Sequence, residues 1–118
     1  MTSKNKTHKI LNELVSQASN LSDLVRISPD SIVSKILLDK PVGSLTLFAF
    51  DRGQRLSEHT SPYDAVVQIV EGTAVLTIGG KPVTVSAGQI VIMPAGIPHS
   101  VDAAEPFKML LTMIRQKD

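Results

Sequence analysis

The sequence contains no cysteine and no tryptophan, and its aromatic residues are limited to one Tyr and three Phe among 118 residues. The missing cysteines exclude disulfides, thiolate metal sites and a cysteine nucleophile. An excess of one charge is also missing. Twelve Lys and Arg stand against eleven Asp and Glu, so no basic field draws in phosphates and nucleic acid is not an expected partner. No apolar run approaches the roughly 20 residues that a helix needs to cross a bilayer, and no membrane association is expected. The polar start, Met1 to Lys9, lacks the apolar segment of a secretory signal, which makes the cytoplasm the expected location. Repeats of solenoid period and low-complexity tracts are absent as well.

What is present is ordinary globular usage, 42% hydrophobic and 19% charged residues, in a chain long enough for one domain with a single core. From Thr7 to Asn20, Ile10, Leu11, Leu14, Val15 and Ala18 recur at three- and four-residue spacing, which predicts an amphipathic helix. Leu21–Val25 extends or follows it, and Ser28-Pro29-Asp30 breaks it. Every later signal is for strand. Ser31–Leu38, Ser44–Phe50, Ala65–Val70, Thr73–Ile78, Val83–Val85, Gln89–Met93 and Phe107–Ile114 are short runs rich in Val, Ile, Leu and Thr. Gly79-Gly80 between two of them suits a two-residue hairpin, because such turns need positive φ. Short strands at this spacing predict a sandwich or barrel. The division expected is a helical extension over 1–30 and a barrel over 31–118.

Two histidines sit in patterned stretches. Gly53, His59 and Gly72 frame the first, which runs through Ser61, Tyr63 and Ala65; Gly88, Pro94, Gly96 and His99 form the second. Together they resemble the two motifs of the cupin superfamily, over about residues 43 to 114, with the Pro-x-Gly-x-x-His turn the most specific part. The resemblance implies an all-β fold, a double-stranded β-helix or jelly-roll barrel, here with one N-terminal α-helix outside it. It also implies an interior metal on three histidines and one glutamate. Only half of that ligand set is kept: Ser61 stands at the second histidine, Ala65 at the glutamate, and Ala103 where an asparagine often follows.

Strand alternation places Ser57, His59 and Ser61 on one face, with Glu58 on the other. If Ala65, Val67 and Ile69 face the interior, as the resemblance implies, Gln68 points away from it. His59 and His99 are the expected metal ligands, and His59, Ser61, Tyr63 and His99 the expected small-molecule contacts. Two imidazoles fall one short of the three protein ligands of a usual catalytic metal, so the expected cofactor is at most a weakly bound divalent ion, Fe, Ni, Mn or Zn. Tyr63 and Asp64 are the nearest sources of a third donor, and for Asp64 the plainer role is bonding backbone in a turn. Met93, Met109 and Met113 read as core, His8 as solvated, and no acid or glycine elbow supports a serine nucleophile. Two functions are weighed: a barrel that binds a small molecule, with a reduced metal site, and, among the activities the resemblance implies, a metal-dependent dioxygenase, isomerase or decarboxylase. Apolar residues on the early helix and strand predict a homodimer.

Overall fold

The structure, a computed structural model, describes residues 9–115. Its strands are β1 (Lys9–Ile10), β2 (Ile32–Lys40), β3 (Gly43–Phe50), β4 (Arg55–His59), β5 (Asp64–Glu71), β6 (Thr73–Ile78), β7 (Lys81–Ser86), β8 (Ile90–Met93), β9 (His99–Asp102) and β10 (Phe107–Ile114). They form a six-stranded sheet, β1-β2-β3-β10-β5-β8, and a four-stranded sheet, β4-β9-β6-β7. From β3 onward the chain switches sheet at nearly every connection and only β6 and β7 are joined within one, so the two sheets are wound around each other as an all-antiparallel jelly-roll barrel.

The alternating pattern of the strands places one apolar row of each sheet between the layers. Phe50, Val67, Phe107 and Met109 of the larger sheet meet Leu76 and Val101 of the smaller, all fully buried. Phe50 and Phe107 stack with ring centroids 4.6 Å apart, and each such buried side chain contributes roughly 1.5–3 kcal/mol. The β6–β7 hairpin turns on Gly79 and Gly80, with φ of 58° and 84°, values that fit the right-handed strand twist.

The expected helix over Thr7–Asn20 is not formed. Thr7 and His8 lie outside the described residues. The rest is strand β1 followed by two isolated 3-10 turns, Asn12–Leu14 and Leu21–Leu24. Two causes are visible. The backbone is captured by an existing sheet edge, with Lys9 and Ile10 paired to Asp39 and Leu38 and Leu11 N–H donating to the Leu37 carbonyl at 3.0 Å. Ser16 then takes a φ of 59°, a left-handed conformation that ends any right-handed helix.

Of the residues that the three- and four-residue spacing marked, Leu11 and Leu14 are half-buried, while Ile10, Val15 and Ala18 are exposed. Leu11, Leu14, Leu21, Leu24 and Val25 cover Leu37, Leu47 and Ala49 on the outer face of the large sheet. Lys108 fastens this layer, its ammonium donating to the Ser22 carbonyl at 2.7 Å and pairing with Glu71 at 3.5 Å. The Ser22 hydroxyl, and after it Lys108, holds the Glu71 carboxyl below its ordinary range. Most of the expected strands match to within two residues at each end, while β4 and β9, short and polar, carry the histidines.

Candidate functional site

β4 and β9 lie side by side with His59 directly opposite His99. Strict alternation does not hold along β4, because a bulge falls between Leu56 and His59. The expectation that Ser57 shares a face with His59 is therefore corrected. Leu56 and His59, three residues apart, both line the interior, while Ser57 is exposed. Glu58 is exposed, and so is Gln68, which points away as expected.

The loops before each histidine are stitched together by backbone groups. Gly96 N–H donates to the Ser61 carbonyl at 2.8 Å, and Ala95 N–H to the Asp64 carboxylate at 2.9 Å. Gly96 has a φ of 79°, which suits glycine at this turn. Farther down, Gly53 N–H donates to the Ala103 carbonyl at 2.7 Å, closing the start of the first motif onto the end of the second. Asp64 thus bonds backbone, as the plainer reading had it, but across 31 residues rather than within its own turn.

These connections frame a cavity of about 140 Å³ at the end of the barrel. His59, Ser61 and His99 are brought together on its wall, with Leu56 and Val101 from the small sheet and Ala65, Met93, Met109, Leu111 and Met113 from the large one. His99 is buried and His59 sits at the exposed mouth. Tyr63 does not line the cavity; its ring lies 5.5 Å from the Arg115 guanidinium, which also pairs with Asp39 at 3.4 Å. The Tyr63 N–H donates to the Ser61 hydroxyl at 3.1 Å. The lining by Leu56 and Leu111 was missed in the sequence, since the first depends on the bulge and the second on which strand of the barrel comes to lie opposite.

The imidazoles define the chemistry. His59 Nδ1 is 2.8 Å from the Ser57 carbonyl, and His99 Nδ1 is 3.2 Å from the Ile97 carbonyl. A carbonyl only accepts, so each Nδ1 carries the hydrogen and each Nε2 presents a lone pair, the tautomer used in metal ligation. The two Nε2 atoms are 3.1 Å apart, close enough for one ion at ordinary bond lengths of about 2.1 Å to reach both. Burial, and behind it the neighbouring His59, lowers the pKa of His99 and keeps it neutral. Among the described residues the wall carries no carboxylate. Among the described residues no three His, Cys, Asp or Glu come together as a metal site. Ala65 faces the cavity where a carboxylate ligand would start, so the residues present do not fit a three-histidine, one-glutamate centre.

A wound double-sheet barrel with two histidines opening into its interior belongs to the class of jelly-roll β-barrels. The cupin domain profile matches residues 46–114, and the chain belongs to the cupin family. A conserved protein of unknown function from Streptococcus pyogenes is similar in structure (TM-score 0.87) and 36% identical, over 97% of this chain and all of that one. A cupin conserved barrel domain protein from Leptotrichia buccalis is 38% identical with a TM-score of 0.80, over 82% of this chain and 47% of that one. Among curated proteins, an uncharacterized protein of Streptomyces coelicolor is 36% identical over 56 residues, which are 48% of this chain and 53% of the relative. The match thus spans about half the length of that relative.

Proposed function

We propose that this cupin is a binding barrel that holds a small, largely apolar molecule against His59 and His99 without transforming it. The observation that carries the reading is the cavity wall: two lone-pair nitrogens and one hydroxyl in an otherwise apolar lining, with no charged side chain among the described residues. Its volume of about 140 Å³ is close to that of an engineered cavity of about 150 Å³ that takes up benzene. Ser61 adds a hydroxyl at the mouth. A divalent ion such as Fe, Ni, Mn or Zn would rest on two imidazoles and water, and would be labile, because fixed charge and a third ligand are absent.

A thermal-shift screen of small phenols and azoles tests the reading. His59→Ala and His99→Ala are each expected to weaken a hit by roughly 1–3 kcal/mol, as for a lost buried polar contact, with the fold retained. Metal-dependent turnover of a hit, abolished in both variants with little change in affinity, would establish the enzyme instead.

The proposal places the protein in the cytoplasm as a homodimer. No helix among the described residues is long and apolar enough to cross a membrane. Of the N-terminal apolar residues that suggested pairing, Ile10, Val15 and Ile36 remain exposed, as do Ile90 (60% exposed) and Ile92 (58%) on β8, an edge strand. Light scattering distinguishes the dimer from a monomer.

A further inference from the structure

We infer that the His59–His99 cavity is a site for copper(I), a soft monovalent cation, bound by the two imidazoles together with thioether sulfur from Met93 and Met113. The inference rests on the two histidines being the binding pair and goes beyond that reading by placing a metal ion on their Nε2 atoms. The lone pairs come first. Both Nδ1 hydrogens are committed to carbonyls, so two Nε2 lone pairs face each other across 3.1 Å. A cation between them, a proton or a metal, relieves the repulsion of two such lone pairs.

The second observation concerns the remaining donors. Among the described residues the wall offers no carboxylate and no third imidazole. The Ser61 hydroxyl accepts the Tyr63 N–H and keeps one lone pair, on a hard neutral oxygen. The soft donors of the wall are sulfur. In the large sheet Ala65 is paired with Met93 on one side and Met113 on the other, and all three line the cavity. The place from which a carboxylate would reach the ion is thus a methyl group between two thioethers, with Met109 farther along the same wall. Neutral imidazole and thioether donors select copper(I), whereas carboxylate and water suit Mn and its harder neighbours.

Charge supports the same choice. The cost of burying an ion rises with the square of its charge, so a divalent ion costs about four times as much as a monovalent one in this apolar wall, and no carboxylate offsets it. Binding as inferred changes no oxidation state and breaks no bond.

The test is an anaerobic competition for copper(I) held by the chromogenic chelator bicinchoninate, followed by X-ray absorption at the copper edge on the wild-type protein. The wild type is expected to withdraw one equivalent and to show a sulfur shell beside the nitrogen shell. Met93→Leu and Met113→Leu conserve volume and shape, so the fold should survive, which circular dichroism checks. Loss of even an outer-shell partner costs about 10–100-fold in metal affinity, and each variant is expected to lose at least as much. A nitrogen-only shell, or unchanged affinity in the methionine variants, overturns the thioether site and leaves the histidine pair standing. Failure of the wild type to withdraw copper(I) overturns the inference in favour of a proton between the imidazoles. Unchanged affinity in His99→Ala overturns both the inference and the histidine-pair reading beneath it.

Discussion

Restoring the missing carboxylate is the sharpest perturbation of this site. Ala65 is 1% exposed, with Met93 and Met113 beside it in the sheet. The four heavy atoms added by Ala65→Glu would enter a cavity of about 140 Å³, so space is not the obstacle. Charge is. A buried carboxyl with no cation titrates well above its ordinary value of about 4.3. Such a group is protonated in the folded chain and ionised in the unfolded one at neutral pH. The cost is absent below about pH 4.3 and grows by about 1.36 kcal/mol per pH unit, reaching about 1 kcal/mol at pH 5 and about 4 kcal/mol at pH 7. The larger figure is an upper limit, because an imidazolium beside the carboxylate would hold it ionised. It corresponds to a loss of about 15 °C in melting temperature. A divalent ion should reverse the loss, since a ligand at 100 times its Kd restores about 2.7 kcal/mol. Thermal unfolding at pH 5 and 7, with and without Mn or Ni, measures both effects. Ala65→Gln, uncharged and of the same shape, controls for packing. If Ala65→Glu were as stable as the wild type at pH 7 without metal and bound no divalent ion more tightly, Ala65 would not face a cavity beside the two histidines, and the account of the site would be wrong.

Gly72→Ala should destabilise by more than about 2 kcal/mol in urea unfolding, because φ is 78° and a Cβ would stand 2.5 Å from the Pro106 carbonyl oxygen. Asp64→Ala should cost about 1 kcal/mol by removing the acceptor of Ala95 N–H; Asp64→Asn should recover part of it and any ligand affinity lost with it. The lowered pKa of His99 means that the unfolded chain binds its proton more readily. Stability from His99 is therefore complete above its ordinary value of 6.5 and falls as pH drops below that toward the folded value. The difference between wild type and His99→Gln across pH 5 to 8 checks the sign, and a wild type that gained stability on acidification relative to the variant would refute it.

The strands were legible because their information is local: Val, Ile and Leu runs bounded by Gly and Pro need no distant partner to be recognised. Phe107–Ile114 and Thr73–Ile78 appear in the structure with the limits expected of them. The two motif histidines were legible for a related reason, since glycine and proline at fixed offsets record the turns that aim them.

The N-terminal segment was misread because Leu11 and Leu14 carry the same spacing whether they belong to a helix or to a 3-10 turn lying on a sheet, and only the free edge of β2 decides between them. Tertiary structure alone decided three further features: the bulge that turns Leu56 and His59 to one side, the clamp of Asp64 on Ala95, and the placing of Met93 and Met113 on either side of Ala65. Each depends on the register between strands distant in sequence. A one-residue slip in that register would send every one of these side chains to the opposite face.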